Sequence, residues 1–323
     1  MKTTYRTIAT LLILALLVMG LGACNSPAPA TPAAPTQPPP APTATPESAF
    51  PVTIVDDGQT EVIIEAEPQR IVSLVPSMTE TLFALGLGDR VVGVTTYCDY
   101  PEEAKSKEKI GEFATIDLEK VVSLNPDLVL ATSLHYQDVA PALRERGLTV
   151  AVFEAQDVEG VLAQILTIGR MTGRLPEAQA LVEDLQARLD AVAAKVAGAA
   201  KPRVFWELDA MLYSAGRGSI IDDLITRAGG DNIGRRLEGE WPQFSLEALV
   251  EADPEVIVLA DHGFGETAET VGARPGWGGI TAVREGRIVE VEDINIVSRP
   301  GPRIAEAVEY IARELHPSLF PGD

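Results

Sequence analysis

The chain has 323 residues, 23% of them charged, and a formal net charge of −21 at pH 7. The length accommodates two ordinary domains. The acidity excludes a nucleic-acid partner, which demands a basic footprint, and a protein face built to hold anionic lipid, while two cysteines exclude a disulfide framework.

At the N-terminus, Lys2 and Arg6 precede the apolar run "LLILALLVMGLGA", which ends at Cys24. A positive start, a hydrophobic stretch too short to span a bilayer comfortably, and small residues before a cut predict a secretory signal over residues 1–23. The stretch "LGAC" at 21–24 resembles a bacterial lipobox, which makes Cys24 the lipidation site. Residues 25–49, "NSPAPATPAAPTQPPPAPTATPESA", are rich in Pro, Ala and Thr and show no apolar periodicity. They predict an extended, semi-rigid tether, so that residues 24–50 hold a folded region off a membrane. With Cys24 lipidated, Cys98 has no partner and reads as a small, partly buried hydrophobe.

An N-terminal lobe is expected over residues 51–175. "RIVSLV" (70–75), "VVGVT" (91–95), "DLVLA" (127–131) and "TVAVF" (149–153) read as buried strands. Helices are expected between and after them at 78–88, 117–124 with Asp117 as N-cap, 138–147 and 157–173. Residues 176–202 open with a first-turn proline and repeat Leu181, Leu185, Leu189, Val192 and Val196 along one face of a long linker helix. The pattern restarts in a second lobe, 203–323, with strands at 203–209, 255–260 and 287–292 and helices at 219–230, 245–252 and 301–317. Alternating short strands and amphipathic helices predict an α/β fold: two similar lobes with parallel sheets, joined by one long rigid α-helix.

The two lobes share a sentence. "DLEKVVSLNPDLVLA" (117–131) and "SLEALVEADPEVIVL" (245–259) match at a constant offset of 128 residues. Each predicts a capped short helix, a proline stop and a central strand, with Asp117 and Ser245 as N-caps. Glu119 and Glu247 fall at the second helical position, where a capping box does not explain them. The helix dipole accounts for an acid there, and a pair of such acids, one per lobe, would also clamp a symmetric basic partner.

"RIVSLVPSMTETLFALGLGDRVVGVTTYCDYPEEA" (70–104), "YSAGRGSIIDDLITRAGGDNI" (213–233) and "WPQFSLEALVEADPEVIVLA" (241–260) resemble the cobalamin- and siderophore-type substrate-binding proteins of ABC importers. The resemblance covers about residues 70–317. "YCDYP" (97–101), "WPQFS" (241–245) and "SRPGPRI" (298–304) are most similar to its cobalamin-binding members. It implies a rigid monomeric clamp, with a ligand cleft between the two lobes, that carries cobalamin or a related corrinoid to a dimeric permease with ATPase subunits. Glu119 and Glu247 match the glutamates that dock such proteins onto permease arginines. Carried over by position, Tyr97 and Phe113 face the ligand from the first lobe, and Tyr213 and Trp241 from the second. Asn295 and Arg299 reach the ligand's edge amides. A planar macrocycle with amide arms suits aromatic walls and a few placed donors. Aromatics are only 5% of the chain, so their gathering in loops after strands carries weight.

The sequence departs from the cobalamin-binding pattern in three places. Phe113 and Thr132 stand where tryptophans occur, and Asn295 stands for an aspartate, which implies a roomier cleft or a different corrinoid. His135 follows a strand near the expected cleft mouth and reads as a solvated loop residue that could alternatively approach cobalt or iron. Trp206, inside a strand, reads as core. No nucleophile elbow, P-loop or H-E-x-x-H occurs, and the three histidines are too scattered for a zinc site, so neither an enzyme nor a resident metal or cofactor is expected. The alternative ligand is a ferric siderophore or haem, for which Arg299 and Arg217 are the few basic candidates.

Overall fold

A computed structural model describes residues 50–321. The signal peptide, Cys24 and nearly all of the tether lie outside the described residues. Within those residues no helix is long and apolar enough to cross a membrane.

The described chain opens with an antiparallel hairpin, β1 (Val52–Val55) and β2 (Glu61–Ile64). This hairpin lies before the first strand expected from the sequence, at residue 70. Buried and exposed residues alternate along both strands, and Val52, Ile54, Val62 and Ile64 point inward. The Asp57 N–H in its turn donates to the Val152 carbonyl, which ties the hairpin to the first lobe.

That lobe runs β3 (Ile71–Ser73), α1 (Pro76–Ala84), β4 (Val91–Val94), α2 (Leu118–Ser123), β5 (Leu128–Thr132), α3 (Val139–Glu145), β6 (Val150–Phe153) and α4 (Val158–Met171). Its four strands are parallel in the order β4-β3-β5-β6. Residues of β3, β5 and β6 are buried on both faces almost throughout, which is why their apolar runs were continuous.

The linker helix α5 (Leu175–Val196) buries Leu185, Leu189 and Val192 and packs against α4. It is shorter than the expected 176–202. Ala197 leaves helical geometry, Gly198 takes φ +78°, and the chain then runs extended to Pro202. A left-handed glycine just past the last turn is the usual way a helix stops.

The second lobe runs β7 (Arg203–Glu207), α6 (Ile220–Arg227), β8 (Asp231–Asn232), α7 (Leu246–Ala252), β9 (Val256–Leu259), α8 (Ala268–Gly272), α9 (Thr281–Glu285), β10 (Ile288–Glu290), α10 (Ile294–Ser298) and α11 (Ile304–Leu315). Its sheet is again four parallel strands, β8-β7-β9-β10. Both lobes therefore share the strand order 2-1-3-4. The two repeated segments occupy the same place in each, as the helix before the third strand and the strand itself. Asp117 and Ser245 accept from the backbone N–H of Lys120 and Ala248, as N-caps do.

The lobes are tied in three places. The linker helix α5 also packs against α11. The Val158 N–H at the start of α4 donates to Asp223 of α6 at 2.9 Å, and Glu159 pairs with Arg227 beside it. The third tie borders the cavity.

Candidate ligand-binding site

In parallel α/β sheets, ligands collect beyond the carboxyl ends of the strands. Loops from those ends in both lobes enclose one cavity of about 690 Å³. The first lobe supplies Val75–Met78 after β3, Tyr97 after β4, Phe113, Thr132 at the end of β5, and Phe153–Gln156 after β6. The second supplies Leu208 after β7, Ile220, Ile221, Glu240, Trp241, and Asn295, Ser298, Arg299 and Pro300. Apolar and aromatic side chains make most of the wall.

Five of the six residues singled out from sequence meet here: Tyr97, Phe113, Trp241, Asn295 and Arg299. Tyr97 and Trp241 are about half exposed, which offers two aromatic faces to a guest. The Asn295 side chain has no hydrogen-bond partner among the described residues. Tyr213 does not line the cavity. Its backbone bridges Gln243 and its carbonyl accepts the Leu208 N–H at 3.0 Å, so this loop gives Leu208 to the cavity wall instead.

The place of Arg299 also differs from the expectation that it reaches a ligand. Its guanidinium reaches across to the first lobe, bonding Glu80 at 3.2 Å, Asp99 at 2.6 Å and the Tyr97 carbonyl at 3.1 Å. Arg303 forks onto the same Glu80 at 2.8 and 2.9 Å and stacks over Tyr100. Glu80 is 2% exposed. This buried cluster is the third tie between lobes. Gly301 lets it close, because a Cβ there would lie 3.0 Å from the Ser77 carbonyl oxygen of α1. Burial pushes the Asp99 carboxyl up, but the hydrogen bond and charge of Arg299 outweigh it and hold the group below the usual aspartate value.

With that cation committed, the charged groups left facing the cavity are acidic. Glu112, Glu154 and Glu240 all line it, and none is in an ion pair among the described residues. Glu154 is held by the hydroxyls of Thr132 and Ser133, both at 2.6 Å. Arg217, the other basic candidate, is exposed and outside the lining.

His135 is neither solvated nor available to a metal. It is 1% exposed. Its Nδ1 accepts the Thr132 N–H at 3.3 Å, and Nε2 lies 2.9 Å from the Phe113 carbonyl, so the network assigns the proton to Nε2. The ring meets Phe113 edge-on at 5.8 Å. His135 thus stands behind the cavity wall and fixes the loop that presents Phe113. Cys98 is buried between Thr79 and Thr95, and Trp206 is fully buried. No group of three or more His, Cys, Asp or Glu among the described residues is arranged to hold a metal.

On the outer surface, Glu119 and Glu247 are exposed in the first turns of α2 and α7. Neither side chain forms an ion pair or hydrogen bond among the described residues.

Two duplicated lobes around one apolar cavity, tied at three points, define a clamp for a small solute: this is a solute-binding protein. The family model described as periplasmic binding protein matches residues 71–294, and the chain belongs to that family. It is 39% identical over 280 residues to the uncharacterised ABC transporter substrate-binding lipoprotein YvrC of Bacillus subtilis, covering 84% of this chain and 87% of that one. It is 34% identical over 278 residues to a cobalamin-binding protein of Halobacterium salinarum, covering 83% and 75%. Among solved structures it resembles the periplasmic haem-binding protein BhuT in complex with two haems. The TM-score is 0.70 and the identity 31%, over 79% of this chain and all of that one.

Proposed function

We propose that this protein is the substrate-binding component of an ABC importer, that it takes up a corrinoid such as cobalamin, and that it hands the ligand to a dimeric permease. The observation that carries the ligand assignment is the charge of the cavity. An aromatic and apolar wall suits a large planar macrocycle. The rim adds three carboxylates without cationic partners, and the one lining arginine is already bonded to Glu80 and Asp99. Carboxylates accept hydrogen bonds from amide N–H groups, and a corrinoid carries such amides on its periphery. They repel the carboxylates of haem and of anionic siderophore complexes. The cobalamin-binding relative supports the same reading.

Haem is the second reading, and the likeness to BhuT favours it. Against it stand the acidic rim and the two occupied nitrogens of His135, which packs against the wall residue Phe113. Titrating ligand-free protein with cobalamin, haem and a ferric catecholate, with absorbance and tryptophan emission as readouts, separates the readings. A one-to-one corrinoid complex is expected. Trp241→Ala should weaken it by roughly thirtyfold, the usual cost of removing a buried aromatic anchor. Tight haem binding without corrinoid binding overturns the assignment.

Delivery requires docking. Glu119 and Glu247 suit arginines on a two-fold permease, because each exposed carboxylate would gain a charge-assisted hydrogen bond. Glu119→Ala and Glu247→Ala should each impair uptake and leave ligand affinity unchanged. The signal, Cys24 and tether fit an extracytoplasmic lipoprotein, as the relative from Bacillus subtilis is named. Cys24→Ser should move the protein from membranes into the soluble fraction. A variant that stays membrane-bound overturns the anchor.

A further inference from the structure

We infer that Val122 and Val250 are the apolar half of the docking face, so that each lobe offers the permease an acid and a hydrophobe side by side. The inference rests on the docking role proposed for Glu119 and Glu247. Val122 and Val250 occupy the same position of the 128-residue repeat. They are 37% and 38% exposed. Each lies three residues after the exposed glutamate of its own helix, which places the pair on one helical face. The preceding residues, Val121 and Leu249, are fully buried and carry the core packing of α2 and α7. The outward valines are therefore not needed to hold the helices down.

An exposed helical position is better filled by Ala, Lys, Glu or Gln. A β-branched side chain loses rotamer freedom against the preceding turn and leaves apolar surface in water. A single such valine is ordinary. The same valine, with the same exposure, beside the same unpaired glutamate in both lobes marks two copies of one patch. The repeated backbone holds both copies nearly alike: each helix begins at a side-chain N-cap and is followed within two residues by a left-handed residue before proline, Asn125 at φ +49° and Asp253 at φ +45°. A monomer with two copies of a mixed acidic and apolar patch matches a partner with two-fold symmetry. Each half of that partner would present a cation bordered by apolar surface, and this is the permease dimer. The carboxylate gives register and on-rate, and the valine gives affinity that salt does not screen.

The test measures binding to the permease–ATPase complex in nanodiscs at low and high salt, with melting temperature and ligand affinity as controls. Val122→Ser/Val250→Ser should weaken docking by about fivefold at both salt concentrations, from the apolar area left in water. Glu119→Ala/Glu247→Ala should weaken it mainly at low salt. Val55→Ser, at an exposed hairpin valine outside the repeat, should bind as wild type. If the valine pair docks as wild type while the glutamate pair fails, the valines are ordinary surface and the glutamate role stands. If both pairs dock as wild type, the docking role falls with them. Self-association of the wild type that the valine pair abolishes would reassign the patch to contacts between copies and overturn the inference.

Discussion

His135 shows how one side chain can serve a cleft it never enters. Both of its nitrogens are used, one by the Thr132 N–H and one by the Phe113 carbonyl. Protonating Nδ1 would aim a proton at the Thr132 N–H, so the ring must stay neutral. Burial holds its pKa below the usual imidazole value, and the Phe113 carbonyl, which favours the charged form, offsets this only in part. The sign follows. The folded pKa lies below the unfolded one, so the contribution of His135 is complete above an unfolded value of about 6.5. It is lost as pH falls below that value, where the unfolded chain takes a proton that the folded ring refuses. Thermal melts from pH 8 to 5 should therefore show wild type losing more stability on acidification than His135→Gln. Equal slopes would mean that the folded ring takes its proton as readily as the unfolded one. At pH 8, His135→Ala leaves the Phe113 carbonyl and the Thr132 N–H unpartnered, which costs about 1–3 kcal/mol, and lowers the melting temperature by several degrees.

At the level of elements, the repeat is a device for joining a short helix to a central strand. In the first lobe Arg70 donates to the carbonyls of Leu124 and Asn125, while Asp127 accepts the N–H groups of Gln69 and Arg70. In the second, Arg203 donates to the Asp253 carbonyl and Glu255 accepts the Arg203 N–H. Between staple and strand the residue before each proline is denied the helical region, and here it turns left-handed, which Asn and Asp tolerate best after glycine. The Asn125 side chain forms no hydrogen bond among the described residues, so its substitution tests the backbone alone. Asn125→Gly should leave the melting temperature nearly unchanged. Asn125→Val should cost about 1–2 kcal/mol. Equal melting of the two variants would show that the turn carries no strain. The central strands, their capped helices and the linker were legible in the sequence because each is a local pattern of apolar period, cap and breaker. The hairpin β1–β2 carried a signal too, "DDG" between two alternating runs, but those runs hold only a few apolar residues beside a tether. The five-residue helices α8, α9 and α10 are too short to show a period. Tyr213 followed the family pattern, yet its backbone bridge to Gln243 leaves Leu208 to line the cavity. The cluster around Glu80 was not legible at all, since its partners lie 219 and 223 residues further along the chain.

That cluster sets how the whole molecule moves. Two lobes joined by one helix could still rock about it, but here α5 is only one of three ties. The contacts of Val158 with Asp223 and of Glu159 with Arg227 hold one side. Glu80 holds the cavity side through two guanidinium groups that are themselves only 10% and 11% exposed. Wide hinge closure would have to break a buried, doubly bonded carboxylate, and breaking such a pair by losing one partner costs about 3–5 kcal/mol. A binding equilibrium spends its free energy better on the ligand, so the cleft should admit its guest nearly preformed. Small-angle scattering should then give almost the same radius of gyration with and without ligand, and a large decrease on binding would contradict the three-tie picture. Glu80→Ala separates the tie from the linker. It removes the buried carboxylate that Arg299 and Arg303 share and leaves Arg299 only Asp99 and the Tyr97 carbonyl across the lobes, so it should lower the melting temperature and broaden the distribution of lobe separations read by paired spin labels, while α5 stays intact. Glu80→Gln keeps the accepting oxygen and should lie between. If Glu80→Ala melts lower yet keeps the wild-type distance distribution, the linker helix alone fixes the aperture and the cluster contributes stability only.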